Sequence, residues 1–564
     1  MMHRSPRRLL LALCLYLPLS VTAVEPAPSE NAIASAHALA TAAGHTVLAA
    51  GGNAFDAAIA VAAALAVVEP YSSGIGGGGF FLVHDAHDGH DSMIDARETA
   101  PGAATPTMFL DADGKVAPSR SLNGALAAGI PGLPAGLVFL AKHYGRLPLA
   151  QDLAPAIALA EAGFEVSEHY AVMAGFRAPA FKAGNDAHAI FLRDGKAPPL
   201  GTVLTQPDLA RTLRALAERG EAGFYSGDIA ARLVKGVHAD GGIWTKQDLA
   251  DYHVRERVPL VGHFHDIRIV SAAPPSSGGV VMMEALNILE NFALDTLAPV
   301  DRMHVVLEAM RLAYRDRADY LGDPDFVEMP IAHLLDKSYA RELSAKIDLA
   351  HATPSASLPP IRTDDPNHHT THFSVLDTAG NRVAATLSVN YPFGAASVPA
   401  GTGVLLNNEM DDFATSPLTP NAYGLVGGSA NAVGPGRRPL SSMTPTFLEG
   451  PERIGILGTP GGSRIISMVL IGVLEYARGE DPDKWVSAPR YHHQYLPDQV
   501  EFEAGGLDAA TQAALAAKGH KLNENKRRYG NMQAILWDRA SGKVKAASDP
   551  RGEGKAEAWA PAAP

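Results

Sequence analysis

Thr370 and Thr371 open an apolar run, TTHFSV (370–375), directly after a polar stretch, HATPSASLPPIRTDDPNHH (351–369). Inside a chain a threonine hydroxyl is a poor nucleophile. At a chain N-terminus its own α-amine, with a pKa near neutrality, takes the proton and completes a small catalytic unit. That chemistry requires the bond between His369 and Thr370 to break. A Pro- and Ser-rich linker ending against a rigid strand suits the break. The Thr370 hydroxyl would attack the His369 carbonyl, and water would then release the new terminus. Thr-Thr pairs also open strands for reasons of β propensity alone, so the neighbours have to decide.

Four other segments offer matching chemistry. In TPGGSRIISMVL (459–470), Gly461 and Gly462 stand between a strand and a helix. Backbone N–H groups at such a place form an oxyanion hole, or merely a turn. NNEMDDF (407–413) supplies Glu409, Asp411 and Asp412, which suit a ligand ammonium or a solvated loop. RPLSSMTP holds the hydroxyls of Ser441 and Ser442, able to bind a carboxylate or to cap a turn. Arg97, in IDARETAP, could clamp a carboxylate in bidentate fashion or form a structural ion pair.

The elements that must hold these groups are legible in outline. Asn53 is placed to cap a helix running through the alanines to about Val68, before Pro70. Gly76 to Gly79 precede an apolar strand, Phe80 to Val83. A dinucleotide fingerprint has its glycines after a strand, so close backbone approach is the better reading here. Residues 130–350 read as mostly helical, with Val306, Ala309, Met310 and Ala313 on one face. FSVLD and RVAATLSV alternate around Ala379-Gly380-Asn381 as a β-hairpin. GVLLNN and IGILG read as further buried strands, the second followed by a helix from about Arg464.

Composition narrows the partners. Arg4, Arg7 and Arg8, the apolar stretch Leu9 to Leu19 and the small residues Val21-Thr22-Ala23 read as a signal peptide over 1–23. Export to the periplasm or medium follows, with no membrane span after its removal. The net charge of −13 argues against nucleic acid. Cys14 is the only cysteine and leaves with the signal, so the nucleophile is a hydroxyl, an amine or a carboxylate. HDAHDGHD (84–91) interleaves histidines and aspartates, but Gly89 and flanking strands make it a turn rather than a metal-binding helix face.

GGNAFDAA, RETAP, PPSSGG, EAMRLAYRDRADYLGDP, TTHFSV, LLNNEMDDF, NAVGPGRRPLSSMTPT, GTPGGSR and APRYHHQYLPD occur in that order. With these blocks the chain resembles the γ-glutamyltransferase (γ-glutamyltranspeptidase) family over nearly its whole mature length. The resemblance implies an α+β, N-terminal-nucleophile hydrolase fold, a four-layer αββα sandwich. It implies a precursor that cleaves itself into a large subunit (24–369) and a small one (370–564), which remain together as a heterodimer. Thr370 would be both the processing residue and the nucleophile. Arg97, Ser441 and Ser442 would hold the α-carboxylate of a γ-glutamyl group, and Asn390, Glu409 and Asp412 its α-ammonium. Gly461 and Gly462 would bind the oxyanion, and Tyr423 matches a lid loop. Ser388 stands where a second threonine usually assists the nucleophile, and Glu409 where many bacterial members carry glutamine. His372 matches the family motif and is expected to be structural. The implied substrates are glutathione and other γ-glutamyl amides, with water, amino acids or peptides as acceptors and no cofactor or metal.

Two rivals stay open from the sequence. A cephalosporin (glutaryl) acylase on the same scaffold would act on an acyl group without an ammonium, leaving Glu409 and Asp412 as surplus negative charge. A catalytically dead binding homologue would retain the fold without separating into two chains.

Overall fold

The computed structural model describes residues 27–358, 370–414, 421–422 and 424–561. The expected signal segment, His369 and Tyr423 lie outside the described residues.

Two antiparallel sheets face each other. The first has seven strands in the order Lys555–Trp559, Asn31–Ser35, Thr371–Leu376, Arg382–Ser388, Gly78–Asp85, His90–Ala96 and Arg255–Arg257. The second has six, in the order Val544–Ser548, Gln533–Asp538, Arg453–Gly458, Thr446–Glu449, Ile267–Ser271 and Leu260–Phe264. Alternate side chains of the first sheet, Ala32, Ala34, Leu82, Leu376 and Ala384, meet Val270, Phe447, Ile454, Ile456 and Ile535 of the second in a closed apolar layer. The opposite face of the first sheet is covered by Ala54–Val68 and the helices around it. The outer face of the second is covered by Gly278–Leu289, Arg464–Ala477 and Pro482–Ser487, with Pro299–Tyr320 packed on Gly278–Leu289. The result is the four-layer αββα sandwich.

The local expectations are largely met for the reasons given. Asn53 Oδ1 accepts from the backbone N–H groups of Phe55 and Asp56, and Asp56 Oδ2 accepts in return from Asn53 N–H, a capping box that starts the Ala54–Val68 helix. The glycine run is a close approach of backbones. A Cβ on Gly77 would lie 2.0 Å from Ser388 O, and one on Gly79 would lie 2.2 Å from Thr386 O. Only glycine lets this strand lie flush against the hairpin strand that follows Thr370. GVLLNN differs from expectation. It forms a single bridge, Gly76 to Leu406, and no strand. Its neighbours on both sides are irregular, so its N–H and C=O groups pair one by one with Ser397, Ala395 and Gly76. Among the described residues, no helix is long and apolar enough to cross a membrane.

Candidate active site

Thr370 sits at the mouth of the hairpin formed by Thr371–Leu376 and Arg382–Ser388. Leu387 pairs with Thr371, so the next register position sets Ser388 opposite Thr370. Both line a small cavity of about 20 Å³. Arg97, Asn390, Glu409, Asp412, Ser441, Ser442 and Gly462 line the same cavity. Residues scattered from 97 to 462 in the sequence therefore converge on Thr370.

One wall is acidic. Arg97 is fully buried and is gripped by Glu409 and by Asp412, whose Oδ2 lies 2.6 Å from Nη2. Glu98 Oε2 is 3.7 Å from Nη1. Burial opposes the Arg97 charge, but Glu409, Asp412 and Glu98 together more than offset it and raise its pKa. One cation thus faces three carboxyls. Burial pushes Glu409 well above the usual carboxylate range and Glu98 up to about 7, with Arg97 only partly opposing the shift. Asp412 is also raised by burial. Several acceptors here have nothing to accept. Among the described residues, Glu409 Oε2, both Glu98 oxygens and Asn390 Oδ1 are buried without a hydrogen-bond partner. Asn390, in the left-handed region at φ 72°, spends its amide on Asn408 O at 2.9 Å, and its N–H on Ser388 Oγ at 2.6 Å.

Glu409–Asp412 form a single 3₁₀ turn, which divides its acids. Asn407 fixes the turn, accepting from Glu409 N–H while donating to Gly76 O and Gly129 O at 2.8 Å. Asp411 faces elsewhere. It accepts from Ser121 Oγ at 2.6 Å and from Ala422 N–H at 2.7 Å, and burial raises it to about 6.

The other wall is made of hydroxyls. Ser441 is held by its backbone, donating N–H to Pro275 O and accepting at its carbonyl from Ser277 N–H and Ser277 Oγ. Ser441 Oγ accepts from Met443 N–H at 3.1 Å, and Ser442 Oγ from Arg317 Nη2 at 3.3 Å. Both oxygens receive a bond from a donor-only group, which leaves each O–H to donate into the cavity. Arg97 Nε donates to Pro439 O at 3.1 Å and ties this wall to the acidic one.

The floor is the turn before Arg464–Ala477. Gly461 and Gly462 have φ of 142° and 56°, and their carbonyls start the helix by accepting from Arg464 and Ile465 N–H. Gly462 lines the cavity; Gly461 stands one residue back, beside Met468. Ser463 does not cap the helix.

Two groups named by the sequence turn out to be structural. His372 is buried between the sheets, bonded to Thr386 Oγ1 at 2.8 Å, and burial lowers its pKa to about 3, so it is neutral. A Cβ on Gly458 would lie 2.2 Å from its ring, so that glycine makes its room. In HDAHDGHD, His84 pairs with Asp91 at 2.7 Å, and Asp91 and Glu449 are answered by Arg268 and Arg382. His87 and Asp88 are exposed on a turn, and His90 is exposed at the start of the next strand. The sequence reading missed Glu98, Tyr314 and Arg317. The signal for the last two was there: a helix block, EAMRLAYRDRADYLGDP, that carries arginines along a buried face.

A family model described as Gamma-glutamyltranspeptidase matches residues 40–559. The chain is 44% identical over 503 residues to a glutathione hydrolase proenzyme of Pseudomonas sp. (strain A14), covering 88% of this chain and 87% of that protein. It is 41% identical over 530 residues to a glutathione hydrolase proenzyme of Escherichia coli (strain K12), covering 93% and 90%. Among solved structures, a cephalosporin acylase from Bacillus halodurans aligns with a TM-score of 0.82 at 29% identity, covering 97% of this chain and 99% of that one. The stacked sheets and their neighbours define an N-terminal-nucleophile hydrolase fold. Within it, this chain belongs to the γ-glutamyltranspeptidase family.

Proposed function

We propose that this protein is a γ-glutamyltransferase with glutathione hydrolase activity, made as a precursor, in which Thr370 is the nucleophile. The observation that carries this reading is the polarity of the cavity beside Thr370. One wall offers acceptors with no donor, Asn390 Oδ1 and Glu409 Oε2, next to Asp412. The other offers the hydroxyls of Ser441 and Ser442 beside the Arg97 guanidinium. An ammonium and a carboxylate on one carbon match both walls at once. A glutaryl group has no ammonium and would leave the buried acceptors unsatisfied, a penalty of about 1–3 kcal/mol for each group. The acylase reading is disfavoured on that ground, despite the fold likeness to a cephalosporin acylase.

The chemistry follows from the positions. Cleavage between His369 and Thr370 yields subunits 24–369 and 370–564 and frees the Thr370 amine. That amine takes the hydroxyl proton as Oγ attacks the γ-amide carbonyl of glutathione or a similar compound. N–H groups at the Gly461-Gly462 turn, near the start of Arg464–Ala477, stabilise the oxyanion. The amine product leaves with a proton, cysteinylglycine in the case of glutathione, and a γ-glutamyl ester remains on Thr370. Water resolves the ester to glutamate, or an amino acid or peptide amine resolves it to a new γ-glutamyl amide. Ser388, opposite Thr370, supplies a hydroxyl to steady the nucleophile. Tyr423, outside the described residues, is assigned a lid role by the family resemblance alone. The export signal puts the enzyme in the periplasm or medium, where it acts on exogenous γ-glutamyl compounds.

Thr370→Ala tests this directly. The wild type is expected to run as two chains on a denaturing gel, the smaller beginning at Thr370, and to release anilide from γ-glutamyl-anilide. The variant should run as one chain with release reduced at least about 10³-fold. A variant that still splits at 369/370, or that keeps wild-type release, would remove Thr370 from the role.

A further inference from the structure

The helix Pro299–Tyr320 carries three arginines on its inner half, and they are not alike. Arg311 is paired with Glu308 and Asp498. Arg315 is paired with Asp316 and Asp319, each at 2.7 Å. Arg317 is 3% exposed, yet among the described residues it forms no ion pair. Its Nε donates to Ser277 Oγ at 2.9 Å and its Nη2 to Ser442 Oγ at 3.3 Å. Burial pulls its pKa down to about 10, with Tyr314 and Asp412 opposing, so it remains charged at neutral pH. A buried cation satisfied only by hydroxyls is costly unless an anion arrives.

Its two contacts lead to one place. Ser442 lines the cavity, and Ser277 Oγ in turn donates to Ser441 O at 2.6 Å. Arg317 therefore touches one cavity hydroxyl and, through Ser277, holds the backbone of the other. One turn earlier on the same helix, Tyr314 OH donates to Ser463 O, next to the Gly461-Gly462 turn.

We infer that Arg317 is a positioning residue for the substrate α-carboxylate: it fills the Ser442 oxygen with a donor, turns that hydroxyl into the cavity, and adds a second positive charge behind the serine pair. The inference rests on the reading of Ser441 and Ser442 as the carboxylate end of the site. The substrate carboxylate supplies an anion that this guanidinium does not have as an ion-pair partner among the described residues.

The test compares γ-glutamyl-anilide with γ-aminobutyryl-anilide, which keeps the amine but has no α-carboxylate, on fully processed Arg317→Gln, Arg317→Lys and Ser442→Ala enzymes. Arg317→Gln is expected to lower kcat/KM for γ-glutamyl-anilide about tenfold or more, mainly through KM, and to change the aminobutyryl compound less than about threefold. Arg317→Lys should recover part of the loss. The double variant Arg317→Gln/Ser442→Ala should be little worse than Ser442→Ala alone, since both act through one hydroxyl. Equal loss on both substrates, or additive losses in the double variant, would make Arg317 a structural prop and overturn the inference. If Arg317→Gln yields no folded enzyme, Arg317→Lys and the Lys/Ala pair carry the same two comparisons. Equal loss on both substrates in Ser442→Ala itself would instead sink the carboxylate reading of the serines.

Discussion

Two buried charge clusters in this molecule look similar by composition and differ in their bookkeeping. Near the C-terminal strands, Arg490 and Arg551 face Glu503 and Asp549. All four carboxylate oxygens there accept hydrogen bonds, from the two arginines and from the N–H groups of Arg490, Arg551 and Met532. Beside Thr370, Arg97 is the cation ion-paired with Glu98, Glu409 and Asp412 among the described residues, and three of their carboxyl oxygens have no hydrogen-bond partner there. The acids of the first cluster are closed off by these donors, although Arg490 Nε and Nη1 find no acceptor among the described residues, and the cluster holds structure. The second has more acceptors than donors, and the proposed ligand ammonium would supply the missing donors. An unbalanced, unsatisfied cluster opening on a cavity marks a binding site; a balanced one marks a joint.

The largest effect should come from breaking the closed cluster. Arg551→Ala leaves Glu503 Oε2 without its hydrogen bond and removes the cation that Glu503 and Asp549 share in a buried site, and is expected to lower unfolding free energy by about 3–5 kcal/mol. Chemical denaturation would measure it. The surviving folded enzyme should keep its preference between γ-glutamyl- and glutaryl-anilide; a changed preference would blur the distinction drawn here.

Asp412→Asn addresses the open cluster and should behave in the opposite way. Removing one of three acids around a single arginine relieves repulsion, so thermal stability should hold or rise. The kcat/KM for γ-glutamyl-anilide should fall by roughly 10²–10³, the range for losing a buried charge partner of a ligand. A stability loss as large as that of Arg551→Ala would put Asp412 among the structural ion pairs.

Glu409→Gln is milder. The amide oxygen still accepts, so a loss of about tenfold in the same ratio is expected. No loss would mean that Asp412 and Asn390 suffice for the ammonium.

A smaller effect should appear on the far face of the nucleophile strand. Glu69 is buried and accepts from Thr371 Oγ1 at 2.7 Å and from Tyr71 OH at 3.3 Å, with no ion pair among the described residues. Burial, opposed in part by those two bonds, raises its carboxyl to about 7. The folded state therefore holds the Glu69 proton more tightly than the unfolded chain does. Its contribution to stability is full below about pH 4.5 and is lost as pH rises towards 7. Glu69→Gln should flatten the fall in stability between pH 5 and 8 by up to about 2 kcal/mol. Parallel profiles for variant and wild type would show that Glu69 is already ionised.

Much of the site was visible in the sequence because its residues sit in short blocks with a local reason to exist. Asn53 caps, Gly76 to Gly79 clear a path, and Gly461-Gly462 turn a strand into a helix. What the sequence could not give was charge balance. Glu98 is next to Arg97 in the chain, yet only the fold shows that both its oxygens are orphaned. Arg311, Arg315 and Arg317 are equivalent letters on one helix until their partners, up to 187 residues away for Arg311 and Asp498, are known. Asp411 and Asp412 are adjacent acids, and only the 3₁₀ turn assigns one to Ser121 and the other to Arg97. The expected strand at GVLLNN failed for a related reason: an apolar run shows burial, but not whether a regular neighbour lies alongside.

The central claim is that the cavity beside Thr370 is one ammonium short. Measuring kcat/KM for γ-glutamyl-anilide and glutaryl-anilide on the processed wild-type enzyme, in one buffer at pH 8, tests it most directly. The account predicts at least a hundredfold preference for the γ-glutamyl compound, on the order of the 2.7 kcal/mol that two orders of magnitude represent. Equal rates, or a preference for glutaryl, would contradict it and return the protein to the acylases.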